Sequence, residues 1–115
     1  MLGLVAVIFL AHAALRLRTS DELYQIPPAE MASTIAKANG GDVAAAERLQ
    51  DHFLLSEGDR GAALRWMRRA ADLGSSNSRD LLVEELWRGA NDSERQEAAR
   101  LAAQWGRPLP RSSVD

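Results

Sequence analysis

The chain has 115 residues, the size of one domain, and its 46% apolar content is enough to build a core. A net charge of −2 gives no overall attraction to nucleic acid or to an anionic membrane. Cysteine is absent, which excludes disulfides, thiol nucleophiles and thiolate metal sites.

Taken in chain order, residues 1–17 form the first segment. Leu2 to Leu15 is apolar apart from Gly3 and His12, and every acidic residue lies beyond it. A spanning helix needs about 20 apolar residues, so this run better fits the apolar core of a secretory signal. Ala11-His12-Ala13 has the small-x-small cleavage spacing. No cation precedes the run, and Arg16 and Arg18 follow it, as they would beside an uncleaved anchor. The segment therefore predicts a signal peptide or membrane anchor, and with it a protein that is periplasmic or membrane-anchored and facing the periplasm. The alternative is a buried apolar N-terminal helix of a soluble protein.

Residues 18–28 read as a linker, because Pro27-Pro28 cannot sit inside a helix. Pro28 can open one, since the first helical position needs no N–H donor. From there to residue 106 the chain divides into five helical stretches, each ending at a glycine: Gly40, Gly58, Gly74, Gly89 and Gly106. Starts are expected at Asp42, at Asp59, at Ser76 or Asn77, and at Asp92 or Ser93, all side chains able to accept from free N–H groups. Ser93-x-x-Gln96 has the capping-box spacing. No segment alternates with period two between hairpin turns, so no strand is expected.

Apolar stripes recur at helical spacing. Ala45 or Ala46, Leu49 and Phe53 form one; Ala63, Trp66 or Met67, Ala70 and Leu73 form the next; Leu82 and Leu86 with Trp87, then Ala98, Ala102 and Trp105, complete the set. Short connections make neighbouring helices antiparallel, and alanine allows them to approach closely. Residues 107–115, opening with Arg107-Pro108-Leu109-Pro110, read as a disordered tail.

Ala63-x-x-Trp66-x-x-x-Ala70-Ala71-x-x-Gly74 is the most specific motif. It resembles the second helix of the Sel-one-like repeat, a relative of the tetratricopeptide repeat. Gly41, Ala45, Leu49 and Phe53 match that family's first helix, with Phe53 where tyrosine is usual. A following unit runs from Gly74 through Ser78, Leu82 and Leu86 to Ala102, Ala103 and Gly106, with Ala98 in place of tryptophan. Ala36 and Gly40 look like the end of a truncated helix before the full unit. The loop Ser56 to Gly61 is shorter than the family's, and Gln50 replaces a small residue. The resemblance implies an all-α fold: a short α/α superhelical solenoid of about two units, preceded by the apolar N-terminal segment. It also implies a protein-binding, non-enzymatic role without a cofactor.

His52 has no second histidine or cysteine nearby in the motif pattern, so it reads as a partly buried spacer or interface residue. Glu84 and Glu85 are adjacent on a helix and point about 100° apart, which unsuits them as a general acid and base. Arg60, Arg65, Arg68 and Arg69 surround Trp66, but Asp59, Asp72 and Glu57 are close enough in sequence to neutralise them, so nucleic acid is not expected as a partner.

In repeat solenoids the first helices line the concave face. The expected partner-binding residues are therefore Arg48, Asp51, His52 and Leu55 on one first helix, and Glu84, Glu85, Trp87 and Arg88 on the next. The implied function is a protein–protein interaction module, either an envelope adaptor or an immunity-type binding protein. The alternative is a structural or assembly subunit of a larger envelope complex, for which self-association would be expected.

Overall fold

Side-chain caps decide where the helices start. Asp42 accepts from the Ala45 N–H, Asp59 from Ala62, Ser75 from Ser78 and Asn91 from Glu94, each closing one otherwise open donor. Such a cap is worth about 1 kcal/mol. In this computed structural model, which describes residues 20–89 and 91–111, the resulting elements are all helical. They are α1 (Ser20–Tyr24), α2 (Pro28–Asn39), α3 (Val43–Asp51, running on into a π-helical turn His52–Ser56), α4 (Arg60–Asp72), α5 (Ser76–Trp87) and α6 (Asp92–Trp105). No strand occurs among the described residues.

The last two caps fall one residue earlier than the sequence reading placed them. Ser75 and Asn91 precede the expected Ser76 and Asp92, and Ser93-x-x-Gln96 forms no capping box. The same offset applies at the end of α2. Gly40 is right-handed there, and the left-handed terminator is Gly41, with φ 103°. Its counterpart after α4 is Gly74, with φ 101°. In both turns the residue after the glycine donates back across the helix end, Asp42 to the Lys37 carbonyl and Ser75 to that of Ala70. Arg107 repeats this bond to Ala102 after Gly106. Thus α2, α4 and α6 terminate alike.

The residues read as a linker are partly ordered: α1 lies within them and packs against the π-helical turn. Ile26, just beyond α1, is 2% exposed. The apolar stretch Leu2–Leu15 lies outside the described residues, and so does the expectation of a signal, an anchor or an apolar N-terminal helix. Among the described residues, no helix is long and apolar enough to cross a membrane.

Consecutive helices pack on one another from α2 to α6. Helix α4 is the shared wall of two apolar clusters. Its Trp66 and Ala70 face Ile26, Ala38, Ala45, Ala46 and Leu49, while its Ala63, Leu64, Met67 and Ala71 face α5 and α6. Phe53 touches both clusters. Ala98, in the position of Trp66, is fully buried, so α6 approaches its neighbours closely there. Ala103 corresponds to the buried Ala71 but is exposed, because no further helix follows α6 among the described residues.

Helices that are not consecutive are tied by polar side chains. Arg69 of α4 donates to the Ala38 and Asn39 carbonyls at the end of α2, at 3.1 and 2.9 Å. Arg68 of α4 forks onto Glu97 of α6. Ser78 of α5 donates to Gln50 Oε1 of α3 at 2.7 Å inside the protein.

Candidate functional site

The eight residues expected to bind a partner differ in exposure and in what they touch. On α3, Arg48 is exposed and points back to α2, where Glu30 Oε2 lies 3.5 Å from its guanidinium. Asp51 is half-buried and accepts from Gln50 Nε2, which holds the amide in position to meet Ser78. Asp51 thus supports an interior bridge rather than presenting its charge outward. Leu55 is 40% exposed on the π-helical turn.

His52, read as a partly buried spacer or interface residue, lies inside the protein. It is 4% exposed, and its Nδ1 accepts the Ile26 backbone N–H at 2.9 Å. An imidazole that accepts at Nδ1 carries its proton on Nε2, which faces Glu57 Oε1 at 3.7 Å. Its ring stands edge-on to Phe53. The burial has a physical reason: an unpaired Ile26 N–H inside the protein would be costly, and His52 supplies the acceptor.

On α5 the four residues separate. Glu85 is half-buried and faces Arg60, whose Nη2 also donates to the Glu85 carbonyl at 2.8 Å. Trp87 is half-buried with the Arg95 guanidinium 5.3 Å from its ring centroid, a cation–π geometry. Arg88 is exposed at the helix end. Glu84 is exposed too, and it lines a groove together with Asp80, Val83 and the tail residues Arg107 to Pro110.

That groove was not anticipated, since the tail was expected to be free. Arg107 instead folds back onto α5. Its Nε donates to Asp80 Oδ1 at 2.8 Å, one Nη to Ser76 Oγ at 2.7 Å, and the other to the Trp105 carbonyl at 3.1 Å. Nothing local in the sequence pairs Arg107 with Asp80; only the right-about turn at Gly106, φ 65°, brings them together. A space of about 330 Å³ lies between the tail and α5.

The basic group around Trp66 is mostly neutralised, though by other partners than the sequence reading named. Arg60 forks onto Glu94 at 3.1 and 2.8 Å, Arg68 onto Glu97, and Arg69 onto carbonyls. The hydrogen bond from Arg60 lowers the Glu94 carboxyl below the ordinary glutamate range, and the same bond raises Arg60 further. A shallow depression of about 350 Å³ beside Trp66 is lined by Asn39, Arg65, Arg68, Arg69 and Asp72. Two of its three guanidinium groups are thereby committed within the fold. Among the described residues no three His, Cys, Asp or Glu side chains converge as metal ligands would.

Comparison with family models, with curated proteins and with solved structures returns no match.

Proposed function

We propose that the chain is a non-enzymatic protein-interaction module of the Sel-one-like type, exported or held at a membrane by residues 1–17, that acts as an envelope adaptor or an immunity-type binding protein. The observation carrying this reading is the recurrence of one helix-ending turn after α2, α4 and α6. Polar ties between alternate helices support it: α4 reaches α2 and α6, and α5 reaches α3. Two rows of antiparallel helices make a short α/α superhelix, in which α3 and α5 line the inner side. Rigid helices present their surface without much ordering cost, which favours equilibrium binding. The histidine among the described residues is buried and committed to a backbone N–H, which favours binding over acid–base chemistry.

A pull-down from detergent-solubilised membranes tests the reading. It expects one stoichiometric protein partner, weakened by Arg48→Glu and Glu84→Arg. Recovery of bulk envelope proteins alone, unchanged by either charge reversal, would refute it. Fractionation of cells should place the chain in the envelope, and a wholly cytosolic pool would refute that part.

The second reading, an assembly subunit, is favoured by the exposed Leu23, Tyr24 and Leu55, carried by α1 and the π-helical turn that pack together. Apolar side chains grouped in this way suit a docking end. Sedimentation at several concentrations separates the two: a monomer favours the adaptor, and self-association favours the subunit.

A further inference from the structure

We infer that the wall of α5 carrying Asp80, Val83 and Glu84 is a groove for an extended, arginine-bearing, proline-rich segment of a partner protein, and that the chain's own Arg107–Pro110 occupies it in cis. The inference rests on the interaction-module reading and names the chemistry of the partner at that module's second first-helix.

The tail displays what the groove recognises. Arg107 fills three directions of its planar guanidinium with Asp80, Ser76 and the Trp105 carbonyl. Lysine, with a compact ammonium, could not reproduce that fork. Pro108 and Pro110 fix their own φ near −65° and restrict the residue between them, so the segment is extended before it docks. Preformed extended segments lose little entropy on binding, which is why proline-rich ligands suit shallow grooves. Val83, on the same wall, is 2% exposed.

The occupancy is incomplete, and that points to exchange. Leu109 is 40% exposed, and about 330 Å³ stays open against α5. Glu84 lines the groove one helical turn beyond Asp80, yet among the described residues it has no ion-pair partner. A partner segment bearing a second cation beyond its arginine would satisfy both carboxylates, which Arg107 alone does not. Asp80 is 61% exposed, so the bond holding the tail is a surface ion pair and weak. Tethering compensates, because an attached segment acts at an effective concentration in the millimolar range.

The test uses a fluorescein-labelled peptide with the sequence of residues 106–115, titrated by anisotropy into the full chain and its variants. Wild type should bind it weakly, since the groove is filled. Arg107→Ala should bind it at least about tenfold more tightly, and adding Asp80→Ala should abolish the gain. A peptide with lysine in place of the arginine at position 107, its second arginine at 111 kept, should bind several-fold less well. Pro108→Gly with Pro110→Gly loosens the tail without touching Arg107, and should also raise peptide affinity should Arg107→Ala fail to fold. Equal affinity of wild type and both loosened variants, or binding that survives loss of Asp80, would overturn the proposal. Exchange of tails between two copies, seen as a concentration-dependent dimer, would also overturn it by making the occupant a second copy. Peptide failure alongside a recovered partner that still depends on Arg48 sinks this inference alone; failure of both sinks the module reading.

Discussion

At the N-terminal end Ile26 is 2% exposed, and its N–H donates to His52 Nδ1 at 2.9 Å inside the protein. At the C-terminal end Leu109 is 40% exposed, and the segment is held by Arg107 on Asp80 and Ser76 at the surface. Both segments lie outside the helices, and both flank a proline. Burial of an isoleucine side chain is worth about 1.5–3 kcal/mol, whereas an exposed ion pair contributes about 0–1 kcal/mol. The first end is therefore part of the core. The second is a latch that a competitor can open.

The largest effect should come from the sealed end. Ile26→Ala removes apolar atoms from the cluster of Trp66, Leu49 and Ala38, and should cost about 2–5 kcal/mol in urea unfolding. A loss under 1 kcal/mol would mean that the segment is dispensable and would erase the contrast between the ends.

His52 gives the next test. His52→Phe keeps the ring but leaves the Ile26 N–H without an acceptor, for an expected loss of about 1–3 kcal/mol. His52→Asn places an oxygen near the position of Nδ1 and should recover part of it. Equal losses for the two variants would assign His52 a packing role only.

These two residues also mark where the sequence could and could not be read. The five helices from Pro28 to Trp105, the caps at Asp42 and Asp59 and the burial of Ala63, Trp66 and Ala70 follow from local rules of capping and periodicity, whereas α1 does not. Those rules act within a few residues, so one sequence suffices for them. His52 and Arg107 meet partners far along the chain, Ile26 and Asp80, and no local rule couples such positions. Gln50 is intermediate. Its departure from the small residue of the resembling motif was visible, but its reason, the buried bond from Ser78, needed the two helices side by side. The offset of Gly40 against Gly41 came from two adjacent glycines, where only the backbone decides which one turns left-handed.

A smaller effect is expected where α6, which carries the tail, is fastened to α4. The Arg60 fork holds Glu94 deprotonated, lowering its carboxyl below the ordinary glutamate range. The folded state thus binds fewer protons than the unfolded one as the medium becomes acidic. The contribution is complete above the ordinary glutamate range and is lost as pH falls through the lowered value. Glu94→Gln should reduce the melting temperature at neutral pH, and the difference from wild type should close at low pH. Gly89→Ala would place a Cβ on the Glu94 carboxylate and push it from Arg60. The two variants should therefore be non-additive in combination. A difference that is constant with pH would remove the ion pair from the account of this end.

Arg107→Ala should have the smallest effect on global stability and the clearest local one. Losing the bonds to Asp80 and Ser76 should cost at most about 1 kcal/mol, a melting shift of no more than about 4–8 °C. Hydrogen exchange should nevertheless speed up at the amide of residue 107, which donates to the Ala102 carbonyl, while amides of α4 keep their protection. Local opening without global loss is what separates a latch from a core element. If instead Arg107→Ala destabilised the whole chain as Ile26→Ala is expected to, the tail would be a structural cap, and the two ends would differ in chemistry but not in role.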